Sequence, residues 1–182
     1  MELNGERLIA APIDKTWAAL NDPEVLKGCI TGCESLERVG DDGFAALMAV
    51  KVGPVSAKFK GNLKLSDVKP PNSYTIHFDG QGGVAGHGKG SADVSLVAEG
   101  QQTRLSYVAR AQVGGKLAQV GSRLIDAAAG KIAADFFEAF EATLAPPGGV
   151  LAPAQPAAGG NKALWWVVGA AILIALIYWL SR

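Results

Sequence analysis

The sequence predicts an α+β domain, in which a curved antiparallel sheet wraps around a long helix, followed by a carboxyl-terminal transmembrane helix. Three observations predict this organisation. The middle of the chain alternates apolar and polar residues, the stretch before residue 145 repeats its apolar residues at helical spacing, and Ala163–Leu180 carries no charge. We therefore divide the chain into a globular domain (1–144), a linker (145–162) and a membrane span (163–181).

Composition narrows the class of function. The chain has 182 residues with 17 Lys and Arg against 17 Asp and Glu. The basic residues are scattered, so we expect no nucleic-acid partner. Its two cysteines, Cys29 and Cys33, do not have the two-residue gap that redox and zinc pairs use. We expect both to be thiols in a reducing cytosol, and we predict no metal site.

The amino-terminal elements follow from apolar residues and helix-starting prolines. A strand is predicted around Leu3–Ala10. A short helix is expected to begin at Pro12, and Asp22-Pro23 is predicted to start another, because proline is favoured in the first turn of a helix.

The middle of the chain is predicted to be an antiparallel meander. In Val55–Leu65, lysines alternate with inward residues such as Phe59 and Leu63, which indicates a strand with one wet face. Turn residues at 40–43, 69–72 and 98–102 separate such strands. The glycine-rich run Gly80–Gly90 is interpreted as a hairpin. It lacks the hydroxyl that a phosphate-binding loop needs after its lysine, so no nucleotide is expected.

A single long helix is predicted from Lys116 to Leu144. Two glycines precede it and two prolines follow it. Its apolar residues recur at three- and four-residue steps and form one stripe: Leu117, Val120, Leu124, Ile125, Ala128, Ile132, Phe136 and Phe140. The stripe and the apolar face of the sheet are expected to cover each other.

The inward positions of the predicted strands include many small residues, such as Ala46, Gly61, Ala109 and Ala111. Small side chains beneath a helix allow either close docking or a cavity, and the curvature of the sheet favours a cavity. We expect the following residues to line it: Trp17, Met48, Phe59, Leu63, Ile76, Phe78, Tyr107, Ala109, Leu117, Leu124, Ile125 and Ala128.

The carboxyl-terminal part is predicted to tether the domain to a membrane. Residues 145–162 are rich in proline and glycine, which is typical of a linker. The following 18 or so uncharged residues would form a helix about 27 Å long, close to the hydrocarbon thickness of a bilayer. Aromatic residues suited to the membrane interface stand at both ends: Trp165, Trp166, Tyr178 and Trp179. No secretory signal is recognised, so we expect a single carboxyl-terminal span in the cytoplasmic membrane, with the globular domain on the cytoplasmic side.

Several stretches resemble the G-subunit family of carbon monoxide dehydrogenase, within the START-like (Bet v 1-like) helix-grip superfamily. The similar stretches cover nearly all of the globular part: APIDKTWAALNDPEVLKGCITGCESL (11–36), VGPVSAKFKGNLKLSD (52–67), GHGKGSADVSL (86–96), TRLSYVARAQVGGKLAQVGSRLI (103–125) and DFFEAF (135–140). In CITGC, Thr31 stands where the family usually has proline. The resemblance implies a helix-grip fold.

The resemblance also implies a function. Members accompany molybdenum hydroxylases that oxidise carbon monoxide, and they are linked to recruiting that enzyme to the cytoplasmic membrane. The superfamily carries lipids and other apolar molecules in its central cavity. We therefore expect a membrane-anchored accessory protein that is not an enzyme and has no covalent cofactor. Its partners would be a molybdenum-containing carbon monoxide dehydrogenase and membrane lipid.

The ligand expected from the chemistry is a respiratory quinone or another lipid, because electrons from such a dehydrogenase must reach acceptors dissolved in the bilayer. Two alternatives remain open at this point. One is a pure recruitment adaptor with a solid core. The other is a START-like enzyme acting on an apolar substrate, with Tyr107 and Asp93 as its candidate interior polar residues.

Overall fold

The structure is a computed structural model and describes residues 1–145. These residues contain seven strands and four helices. The strands are β1 (Glu2–Ile9), β2 (Cys33–Val39), β3 (Gly43–Val52), β4 (Val55–Lys69), β5 (Ser73–Gln81), β6 (His87–Glu99) and β7 (Gln102–Gly114). The helices are α1 (Ile13–Leu20), α2 (Pro23–Cys29), α3 (Lys116–Gln119) and α4 (Ser122–Leu144), and a 3₁₀ turn spans Gly83–Ala85.

The strands form one antiparallel sheet in the order β1-β7-β6-β5-β4-β3-β2. Strands β2 to β7 are joined by consecutive hairpins, and β1 closes the order beside β7. The predicted meander and the glycine-rich hairpin between β5 and β6 are therefore confirmed. Exposed lysines alternate with half-buried residues along β4, as the period of two predicts.

Both short helices begin where the prolines predict. Pro12 precedes α1, and Pro23 is the first residue of α2. The Asp22 side chain accepts a hydrogen bond from the Glu24 amide at 2.9 Å, which satisfies one of the free N–H groups at the start of α2.

The predicted single helix from Lys116 to Leu144 is wrong in one respect, because it is broken between α3 and α4. Gly121 lies at the break with a φ of 91°, a left-handed conformation that glycine adopts without a steric penalty. The long helix α4 therefore starts at Ser122.

The predicted linker (145–162) lies outside the described residues except for Ala145, and the predicted span (163–181) and its four interface aromatics lie wholly outside them. Within residues 1–145, no helix is both long enough and apolar enough to cross a membrane.

The main core lies between one end of the sheet and the helices α1, α2 and α4. Its centre is Phe140, which is 0% exposed. The buried residues of this cluster are Ile9, Ala11, Ala19, Leu20, Cys29, Leu96, Leu105, Phe137 and Phe140.

A buried pair of threonines ties α1 to the sheet. The Thr103 hydroxyl donates to the Ala11 carbonyl at 2.7 Å, and the Thr16 hydroxyl donates to the Thr103 oxygen at 3.3 Å. Both residues are fully buried.

Thr103→Val is therefore expected to lower the free energy of unfolding by about 1–3 kcal/mol, because it leaves the buried Ala11 carbonyl without its closest donor. Urea unfolding measures this loss. Thr75→Val is the matched control, because the Thr75 hydroxyl binds Asp93 on the exposed face. Equal losses in the two variants would contradict a special role for the buried pair.

Candidate functional site: an apolar cavity on the inner face of the sheet

Strand register places three glycines side by side in the middle of the sheet. Gly61 of β4 lies opposite Gly80 of β5, and Gly80 lies opposite Gly88 of β6. Ala46 of β3 and Val113 of β7 continue this row on either side. All three glycines occupy inward positions between exposed neighbours. The middle of the row is therefore bare backbone, and space is left above it.

A cavity of about 280 Å³ lies on this inner face. Its surface is almost wholly apolar. Its lining residues are Ala46, Met48, Val50, Phe59, Gly61, Asn62, Leu63, Phe78, Asp79, Gly80, Gly88, Lys89, Ala111, Gln112, Val113 and Leu117. The four polar residues among them are exposed, because they alternate with the inward positions.

A second cavity of about 70 Å³ lies between the sheet and the amino-terminal helices. Leu20, Leu26, Ile30, Cys33, Leu36, Phe44, Ala46, Met48, Leu63, Leu65, Tyr74 and Ile76 line it. Ala46, Met48 and Leu63 belong to the walls of both cavities. We call the two the larger and the smaller cavity.

The position of α4 explains why the space stays open. Helix α4 packs mainly against α1 and α2 and against strands β1 and β3, rather than against the middle strands. Ile125 near its start packs with Val52 and Leu117, and Phe137 and Phe140 near its end lie in the main core. No residue of α4 lines the larger cavity.

Six of the twelve residues expected to line a cavity do so. Met48, Phe59, Leu63, Phe78 and Leu117 line the larger one. Ile76 lines the smaller one, together with Met48 and Leu63.

Three of the expected residues line neither cavity, and two of them, Trp17 and Tyr107, pack against the main core instead. Trp17 packs edge-on against Tyr74, with ring centroids 5.4 Å apart. Tyr107 stacks on Phe137 at 5.3 Å. Ala109 lines neither cavity. Trp17 and Tyr107 are covered by these ring contacts and by the main core.

The three expected residues of α4 are also misplaced. Leu124 is 48% exposed and points towards Gly53, the turn between β3 and β4. Ile125 is buried with Val52 and Leu117, and Ala128 packs beside them. The break at Gly121 separates α3 from α4, so only Leu117 of the predicted stripe reaches the cavity.

A family model described as the G subunit of carbon monoxide dehydrogenase (CoxG) matches residues 5–145. The chain belongs to this family. No curated protein sequence matches the chain.

Solved structures share the fold of this CoxG domain. A conserved protein from Geobacillus kaustophilus is 30% identical with a TM-score of 0.74, and the match covers 79% of this chain and 95% of that one. A protein from Thermus thermophilus is 16% identical with a TM-score of 0.60, covering 79% of this chain and 97% of that one. The Zhui aromatase/cyclase from Streptomyces sp. R1128 is 14% identical with a TM-score of 0.58, covering 82% of this chain and 99% of that one.

These similarities identify the START-like helix-grip fold. The matched part makes up 95% of the Geobacillus chain. Within this chain, Met1–Pro147 forms a compact unit of its own.

The polar residues considered for catalysis lie outside both cavities. Asp93 accepts a hydrogen bond from Thr75 at 2.8 Å and lies 3.6 Å from the Arg110 guanidinium, on the outer face of the sheet. The His77 Nε2 lies 2.9 Å from the Ser66 hydroxyl on the same face.

Cys29 and Cys33 are free thiols. Burial raises the pKa of both, and a hydrogen bond with Thr143 opposes this shift in part at Cys29. A raised pKa means less thiolate at neutral pH and hence a less reactive sulfur. In the part of the chain that the structure describes, no three His, Cys, Asp or Glu side chains are placed to hold a metal ion.

A groove of about 580 Å³ lies on the outer face of the sheet, but its chemistry differs. Charged residues line it, and Arg110 and Glu2 form an ion pair across it at 3.0 Å. An exposed ion pair of this kind stays solvated and contributes little to stability.

Sequence reasoning missed Tyr74 as a cavity residue. It named Tyr107 as the interior tyrosine, whereas Tyr74 is 4% exposed and lines the smaller cavity. The available signal was the alternation along β5, which places Tyr74 on the inner face. The sequence carried no signal for which strand's tyrosine Phe137 covers.

Proposed function

We propose that this protein is a membrane-tethered accessory protein that recruits a molybdenum-containing carbon monoxide dehydrogenase to the cytoplasmic membrane. In its cavity it carries a lipophilic molecule, a respiratory quinone, between the bilayer and that enzyme. The observation that carries the ligand-binding part is the apolar cavity above the glycine row. Membership of the CoxG family supports the partner, and the uncharged run Ala163–Leu180 supports the tether.

The physical need for a carrier lies in the cost of exposing a quinone tail to water. Each Å² of apolar surface moved into water costs about 25 cal/mol, so an isoprenoid chain does not leave the bilayer unaided. A cavity whose surface is almost wholly apolar offsets this cost. The same surface offers no polar network that would restrict the ligand to one small substrate.

The lining residues support a carrier rather than an enzyme. Among the described residues that line the two cavities there is no histidine, and the single acidic one, Asp79, has an exposed side chain. General acid–base catalysis most often uses a histidine or a carboxylate within hydrogen-bond reach of the substrate. We therefore propose no reaction for this protein.

The direct test is chemical identification of what the cavity holds. The full chain is purified from membranes in mild detergent, extracted with organic solvent and analysed by mass spectrometry. We expect a quinone close to one molecule per protein. An unrelated single-span membrane protein, purified in the same detergent, controls for quinone carried by the micelle. Protein that is free of quinone and does not bind added quinone would favour the pure adaptor.

A further inference from the structure

The smaller cavity contains one polar group that the proposed function does not yet use. Of the twelve residues that line it, eleven have side chains without oxygen or nitrogen, and the remaining one is Tyr74. The Tyr74 hydroxyl is thus the sole side-chain oxygen or nitrogen among these residues.

The surroundings of Tyr74 leave this hydroxyl unused by the protein. Within residues 1–145, no group forms a hydrogen bond with it, and the residue is 4% exposed with Trp17 packed edge-on against its ring. Among the described residues, every partly or fully buried side-chain oxygen or nitrogen that lacks a hydrogen-bond partner can still be reached by a water-sized probe. The hydroxyl therefore borders space that a small group can enter. A hydroxyl in such surroundings is paired with water in the ligand-free protein, and an acceptor oxygen of a bound molecule can take the place of that water.

The protonation state of Tyr74 determines whether its hydroxyl can donate a hydrogen bond. Burial raises the pKa of Tyr74 well above its ordinary value. The phenol therefore stays neutral throughout the physiological range, and its O–H remains available as a donor. Its natural complement is an oxygen that accepts.

The two cavities are neighbours, and this arrangement determines the shape of a ligand that would occupy both. Ala46, Met48 and Leu63 contribute to the walls of both. The ligand proposed below places its bulk over the glycine row and directs one end past these three shared residues towards Tyr74.

We propose that the Tyr74 hydroxyl is the polar anchor of the site, donating a hydrogen bond to an acceptor oxygen at one end of an otherwise apolar ligand. This rests on the proposed function, namely that the larger cavity holds an apolar molecule. The ligand class is a neutral ketone, quinone or ether with a long or flat hydrocarbon body. A carboxylate does not fit, because the smaller cavity has no cation among its lining residues to compensate a buried charge.

The experiment compares two probes of the same shape. They are 2-undecanone and 2-methyl-1-undecene, in which a CH₂ group replaces the carbonyl oxygen. Each is titrated against the compact unit Met1–Pro147 carrying the fluorescent apolar dye N-phenyl-1-naphthylamine, and displacement gives its affinity. The variant is Tyr74→Phe. Tyr107→Phe is the matched control, because Tyr107 stacks on Phe137 and lines neither cavity.

We expect Tyr74→Phe to weaken the affinity for the ketone about five- to tenfold, which is the usual contribution of a neutral hydrogen bond. Binding of the alkene should change by less than about twofold, and Tyr107→Phe should change neither probe. Thermal unfolding of the ligand-free variant should be no lower than that of the unchanged protein, because no hydrogen bond within the protein is lost.

The other outcomes separate the two proposals. If Tyr74→Phe weakens the binding of both probes equally, the residue acts only by packing. The proposed hydrogen-bond anchor is then wrong, while the cavity remains a binding site. The anchor is equally wrong if neither probe is affected. If neither dye nor probe binds the unchanged protein, the proposed carrier function itself is overturned.

Discussion

A variant carrying Gly80→Val and Gly88→Val is expected to lose its ability to hold an apolar ligand while remaining folded. A Cβ at Gly80 would have the Lys60 carbonyl at 3.9 Å as its nearest neighbour, and one at Gly88 would have a Val113 methyl at 3.8 Å. Both positions therefore accept a Cβ without strain. The two isopropyl groups would occupy the larger cavity directly above the glycine row.

The size of this effect follows from the contact that the ligand loses. Removing about 60 Å² of buried apolar contact costs about 1.5 kcal/mol, which is at least about tenfold in affinity. The free energy of unfolding should stay equal or rise, because β-branched residues favour strands and glycine does not. Dye binding and urea unfolding measure the two quantities on the same sample.

Two other glycine substitutions serve as controls. Gly28→Ala adds a methyl group on α2, where nothing lies within 4 Å, so ligand binding should not change. Gly90→Ala would bring a Cβ against the Arg110 carbonyl, so it should destabilise the fold. This contrast separates filling the cavity from damaging the sheet.

The same cavity-filled variant distinguishes a carrier from an adaptor. With the dehydrogenase and membranes present, a carrier should lose quinone reduction, while the dehydrogenase still reduces a soluble dye. A variant that no longer binds the probe dye but supports quinone reduction at the unchanged rate would show that ligand binding is not needed.

Deletion of residues 146–182 is expected to move both this protein and its dehydrogenase from the membrane to the soluble fraction. A span of about 20 apolar residues anchors a protein almost irreversibly, whereas a domain without such a span has no comparable hold on lipid. Fractionation followed by immunodetection of both proteins measures the change.

The domain itself should survive this deletion, since Met1–Pro147 forms a compact unit. Its unfolding and its dye binding should therefore be unchanged. Replacing 163–181 by an unrelated span of equal length should restore recruitment. If the shortened chain still sediments with membranes, the domain surface rather than the tail provides the attachment.

Much of the fold was predictable because its signals are local. Asp22 caps α2 through the amide two residues away, and alternation along β4 depends on neighbours in the chain. The glycines between β5 and β6 indicated a hairpin for the same reason. The break between α3 and α4 was not predicted, because Gly121 is tolerated within an apolar stripe and only its left-handed conformation ends the helix.

The candidate site was predictable only in part. Phe59, Leu63 and Phe78 were correctly placed on the inner face by strand periodicity. Tyr74 and Tyr107 lie in the same row of the sheet, on either side of Val94. Periodicity does not distinguish the strand whose tyrosine borders a cavity from the strand whose tyrosine is covered by Phe137.

The sequence by itself determined which residues form strands, which face of each strand turns inward, and that a helix must cover them. These properties depend on residues a few positions apart, and the chain carries that information directly. Only the tertiary structure decided where the cavity lies. Its floor requires glycines from three strands, Gly61, Gly80 and Gly88, to lie in one row, and its opening requires α4 to pack against α1 and α2 and the side strands rather than over the middle. Both are set by pairing and packing between distant parts of the chain.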